Sequence, residues 1–226
     1  MLAVIYLFKT HPIWWDASVY IAMGRYIYSW ATVGLWEPVR PLVWPLILGF
    51  LWKLKLNEVL IGQVLTILFS FASIILVYLI TKKLSNEDAA NYAALILAFT
   101  PIIFFFNYRL YTEIPATCFA LLSLYFYLKN RFYLAGMFSG LAFMTKFPLG
   151  IIIFVYFMLN LTKIRTLLKL STFLLPVLPY LIFNYIKYGS MFITFSWASF
   201  IVKNAGSWIF AAPWYYYVIE IFKQNI

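Results

Sequence analysis

Apolar residues in this chain fall into long blocks bounded by charges, and they do not alternate with polar residues. Charge-free runs cover residues 59–81, 89–108, 114–128, 132–145, 147–162 and 170–186. A membrane β-barrel would show alternating segments of about ten residues, so the blocks predict helices packed in lipid. Residues 1–8 form an apolar stub with no basic leader and no small-residue cleavage site. Eight helical residues rise about 12 Å against a hydrocarbon core of roughly 30 Å, which reads as a partial first span. Residues 214–226 read as the start of a further span, and the missing remainders suggest a fragment.

The run 41–52 decides which side each loop faces. It is short, contains Pro41 and Pro45, and is followed by Lys53, Lys55 and Glu58. If it spans, Glu113 lies opposite Asp16. If it lies along the interface as an amphipathic or re-entrant helix, Lys82, Lys83, Lys129, Arg131, Lys163, Arg165 and Lys169 share one side, offset only by Glu87 and Asp88. The positive-inside rule makes that side cytoplasmic and favours the interfacial placement. One membrane domain, 1–226, follows: partial span 1–8, outer loop with interfacial helices 9–57, six spans in 58–186, outer loop 187–213, further span from 214.

Composition agrees. Hydrophobic residues make up 65% and charged residues 11% of the chain, where a soluble domain carries about 25% charge. The net charge of +10 sits largely in short loops, so it is topogenic and implies membrane lipids as partners rather than nucleic acid. Cys118 and His11 are the sole cysteine and histidine, which excludes an intrachain disulfide and a multi-histidine metal site.

Under the interfacial placement Asp16, Arg40, Arg109, Glu113 and Lys146 all lie at or near the outer face. Asp16 follows Trp14 and Trp15; its structural explanation is a cap on a helix beginning at Ala17, running toward Trp30. Glu113 opens a span, where it suits the helix dipole and can pair with Arg109. Arg40 precedes Pro41 and is shaped for bidentate phosphate contact, although an interfacial arginine commonly sits among headgroups. Lys146 is explained equally by snorkelling. Gly136 and Gly140 have the spacing for close helix packing. Trp208 and 214–217 read as an aromatic belt.

Taken in order, these motifs resemble the GT-C membrane glycosyltransferases, in the branch of protein O-mannosyltransferases and lipid A aminoarabinose transferases. The resemblance rests on Asp16 with Tyr20, Arg40-Pro-Leu, Arg109 with Glu113, the glycine-rich stretch ending at Lys146, and Asn184 through Gly189. Relatives often carry Asp-Glu where this chain has Asp16-Ala17, and His-Pro-Pro-Leu in place of Arg40-Pro-Leu. The resemblance implies a polytopic all-α bundle. It also implies inverting transfer from a polyprenyl- or dolichyl-phosphate sugar to a hydroxyl on a lipid, glycan or protein at the extracytoplasmic or luminal face. Asp16 is then the candidate base, and Glu113 positions the acceptor. Arg40, Arg109 and Lys146 are phosphate ligands. Some relatives bind a divalent metal ion and others do not; if one binds here, Asp16 and Glu113 hold it. A lipid-linked-sugar transporter or flippase is the alternative, and it requires a polar path through the midplane. An inactive truncated scaffold is a third reading.

Overall fold

The computed structural model describes residues 13–204 and Tyr215. The predicted stub at 1–8, His11, Trp208 and the segment from 214, Tyr215 apart, lie outside the described residues. Helices are α1 (Trp15–Tyr28), α2 (Val43–Lys53), α3 (Glu58–Leu84), α4 (Glu87–Ala98), α5 (Pro101–Phe106) and α6 (Glu113–Leu128). They continue as α7 (Phe132–Thr145), α8 (Gly150–Leu159), α9 (Ile164–Leu170), α10 (Leu174–Tyr188) and α11 (Ile193–Asn204). No strand occurs among the described residues. Helix α3 and the stretch Ile164–Tyr188 are long and apolar enough to cross a bilayer, and several shorter helices are equally apolar. The chain is an all-α membrane protein.

Local chemistry sets the helix ends. Helix α1 begins at Trp15, with Trp14 in the N-cap position and no side-chain cap bond. The expected start at Ala17 is therefore two residues late, and Asp16 sits in the first turn, where it faces the positive end of the dipole. The run 89–108 is interrupted: α4 ends at Ala98 and α5 begins at Pro101, which has no N–H to continue a helix. Thr100 donates its hydroxyl to the Ile96 carbonyl at 2.6 Å, taking up an orphan acceptor there.

Contacts divide the chain into two compact units, residues 1–37 with 41–180, and residues 38–40 with 181–226. In the first unit, α3 and α4 form a hairpin closed by Lys82 and Glu87, 2.9 Å apart, with the Asn86 side chain accepting from the Ala89 amide at 2.8 Å. Helices α6 and α7 are antiparallel. Gly136 and Gly140 lie where an added Cβ would fall 2.3 Å from the Leu170 carbonyl oxygen and 2.4 Å from that of Phe173. Their absent side chains let the segment after α9 lie directly on α7.

The first unit has two chemically different ends. Tyr127 and Tyr156 stack at 4.3 Å, Asn160 donates to the Tyr127 hydroxyl at 2.8 Å, and Lys169 lies 5.7 Å above the Tyr133 ring. Lys129, Arg131, Lys163, Arg165 and Lys169 therefore belong to one end. Helix α3 reaches Tyr108 near its start through Gln63 and runs about 28 Å further to Lys82, toward that same end. Glu113 and Lys146 meet at the opposite end, about 24 Å away along the 16 residues of α6.

In the second unit, Asn184 is fully buried and its amide reaches the Met191 carbonyl and the Thr194 hydroxyl, each at 3.4 Å. Thr194 donates to the Pro38 carbonyl at 2.7 Å. Gly189, at φ +70°, turns the chain after α10.

Candidate functional site

The segment between α5 and α6 carries Arg109, Tyr111 and Glu113, and buried hydrogen bonds hold it. Trp44, fully buried on α2, donates its indole N–H to the Leu110 carbonyl at 2.7 Å. Gln63 donates its amide to the Tyr108 carbonyl at 3.1 Å, and Ser70 bonds the Asn107 carboxamide oxygen. Leu110 itself takes a left-handed conformation at φ +54°, so the segment turns sharply between its two anchored carbonyls. Buried backbone groups are thus satisfied by side chains from α2 and α3.

Around this turn the charged side chains collect. The Arg109 guanidinium lies against the rings of Trp14, at 3.7 Å, and Phe105, at 3.9 Å. The two rings meet edge-on, with centroids 5.7 Å apart, so they form a corner that holds the cation by its attraction to both π systems. Glu113 does not pair with Arg109; its Oε1 accepts from Lys146 Nζ at 2.8 Å. Glu113 Oε2 is buried without a partner, and the residue lines a cavity of about 180 Å³ that also includes Ser70, Ser73 and Thr117.

Tyr111 ties the two acids to one place. Its ring packs on the α1–α2 core beside Tyr20 and Trp44, with Trp14 edge-on at 6.1 Å. Burial pushes its phenol above the ordinary value, the negative charges of Asp16 and then Glu113 push it further, and Arg109 opposes them. Asp16 and Glu113 are thus both within electrostatic range of this one side chain. Arg40 belongs to the second unit.

As a metal site the cluster is poor. One Glu113 oxygen is already neutralised by Lys146, and no group of three His, Cys, Asp or Glu gathers among the described residues. Sequence reasoning missed Trp14, Trp44, Gln63 and Tyr111. Gln63 had a signal, as a polar residue inside an apolar run; Tyr111 had one too, lying between Arg109 and Glu113. It also missed Arg25, which pairs with the buried Glu58 at the start of α3.

An all-α membrane protein with cations and carboxylates gathered at one end of its helices suits chemistry on a charged lipid. A family model for dolichyl-phosphate-mannose-protein mannosyltransferase matches residues 39–186, about two thirds of the chain. The chain belongs to that family, whose members are glycosyltransferases with a dolichyl-phosphate sugar donor. Arg40, Arg109, Glu113 and Lys146 fall within the matched segment, and Asp16 precedes it. No curated protein and no solved structure matches the chain.

Proposed function

We propose that this chain transfers a sugar from a polyprenyl- or dolichyl-phosphate carrier to an acceptor hydroxyl, with inversion, at the non-cytoplasmic face of the membrane. The observation that carries the proposal is the gathering of Arg109, Tyr111 and the Lys146–Glu113 pair on one pinned turn, with Trp14, two residues before Asp16, packed on Arg109 and Tyr111. In this reading residues 1–226 form one multi-pass membrane domain.

Asp16 takes the proton of the acceptor hydroxyl as its oxygen attacks the anomeric carbon. The bond from that carbon to the phosphate oxygen breaks, and its electron pair leaves with the carrier phosphate. Arg109, held in the corner of two rings, offers its N–H groups to the growing charge. Lys146 shares its ammonium between Glu113 and the phosphate. Glu113 holds the acceptor through its remaining oxygen. Arg40 is assigned to phosphate by its sequence motif alone. The acceptor is a hydroxyl of a lipid, a glycan or a protein.

The test is Asp16→Asn in the purified protein, supplied with dolichyl-phosphate-mannose and a hydroxyl acceptor. Loss of product by a factor on the order of 10² or more, with helicity unchanged, is expected. Turnover equal to that of the unmodified protein removes Asp16 from the mechanism.

A further inference from the structure

The C-terminal ends of α1 and α2 enclose an open cavity of about 810 Å³, whose lining includes Ser29, Trp30, Thr32, Trp52, Lys53 and Lys55. It lies about 18 Å along α1 from Asp16, apart from the cluster described above. We propose that this cavity is a binding site for the phosphate headgroup of an anionic phospholipid.

Three independent observations point there. The first is charge: Lys53 and Lys55 are exposed and unpaired, and no acidic side chain lines the cavity. Glu58, the nearest carboxylate in sequence, is held by Arg25 instead. The second is position. Lys53 and Lys55 immediately precede α3, a candidate span, so the cavity lies where that helix meets the headgroup layer. Trp30, 90% exposed, and Trp52 supply the amphipathic rings that favour this depth.

The third is rigidity. Both rims are closed by hydrogen bonds across left-handed residues. Ala31 donates to the Tyr26 carbonyl at 2.9 Å, with Trp30 and Ala31 at φ +56° and +68°. Leu56 donates to the Leu51 carbonyl at 3.1 Å, with Lys55 at φ +59°. Ser29 accepts from the Val33 amide at 2.9 Å, and Thr32 donates to the Ser29 carbonyl at 2.8 Å. These bonds take up the Tyr26, Ser29 and Leu51 carbonyls at the two helix C-termini and fix both rims in place. Helix-end lysines commonly do no more than offset the dipole. Here they share a preformed, acid-free cavity with two indoles at the depth where headgroups lie.

The experiment titrates the purified full chain in neutral detergent with short-chain phosphatidylglycerol. It reads tryptophan fluorescence as the difference between the unmodified protein and Trp30→Phe. Saturable binding of phosphatidylglycerol, weakened 10- to 30-fold in the Lys53→Gln/Lys55→Gln double variant, is expected at about one unit of headgroup attraction per lysine. Both lysines are exposed, and unchanged helicity in the variant verifies its fold. Equal binding of phosphatidylcholine, or a double variant that binds as the unmodified protein does, overturns the proposal. Competition by inorganic phosphate at the lipid's own concentration reassigns the cavity to free phosphate and overturns it as well.

Discussion

Tyr111 is the side chain through which the placement of Asp16 can be measured at residue scale. Its phenol sits above the ordinary value of 10.0, first by burial and then by the charge of Asp16. Asp16→Asn removes that charge, so the Tyr111 titration moves down toward 10.0; ultraviolet difference titration against Tyr111→Phe reads the shift. An unmoved titration places Asp16 elsewhere. Because the fold favours the neutral phenol, its contribution to stability is intact below pH 10 and is lost as pH climbs through the raised folded value. Lys146 and Glu113 behave differently. With side chains 38% and 30% exposed, their pair stabilises the fold by about 1 kcal/mol at most. Lys146→Met is therefore expected to leave thermal unfolding nearly unchanged while lowering transfer on the order of 100-fold. A variant that loses stability and activity in proportion would mark the pair as structural.

Among the elements, the contact between α1 and α2 sets the site, because it brings Trp44 to the Leu110 carbonyl. The helices cross with Gly24 on Gly49. A Cβ on Gly24 would sit 2.5 Å from the Pro45 carbonyl oxygen and 2.6 Å from the Gly49 amide nitrogen, both backbone atoms. At Gly62 the obstruction is instead the tips of Leu48 and Leu110, at 2.8 Å each. Side-chain ends move and backbone does not. Gly24→Ala is thus expected to cost about 1–3 kcal/mol of overpacking and to open the α1–α2 segment to protease. Gly62→Ala should cost clearly less, as equilibrium unfolding of the two variants will show. The break between α4 and α5 matters for the same region: it lets α5 deliver Phe105 to Arg109.

On the scale of the first unit, charge separates along the helices. The basic turns gather at one end and Asp16, Arg109, Glu113 and Lys146 at the other. If the basic end faces the cytoplasm, a cysteine replacing the exposed Trp15 reacts with an impermeant thiol reagent from outside intact cells. One replacing the exposed Ser85 does not. Cys118 is buried and adds no background. Reversed labelling would overturn the orientation, and with it the outward-facing site.

Much of the architecture was legible because hydropathy is a local property. Unbroken apolar runs bounded by lysines are enough to predict membrane helices, and Gly136 with Gly140 announced a close packing that the Leu170 and Phe173 carbonyls occupy. The motifs around Arg109, Glu113 and Lys146 were legible as residues but not as partners. Sequence spacing suggested Arg109 for Glu113, whereas antiparallel α6 and α7 deliver Lys146 across 33 positions. The break at Pro101 and the start of α1 depended on which backbone groups found partners. Tyr111 meets Trp14, two residues before Asp16, on a turn that Trp44 and Gln63 pin from two other helices. The sequence alone determined which segments are apolar enough to suit lipid, since each residue's transfer free energy adds along the chain. Tertiary structure decided which charges share a neighbourhood, since that depends on buried hydrogen bonds between segments distant in sequence.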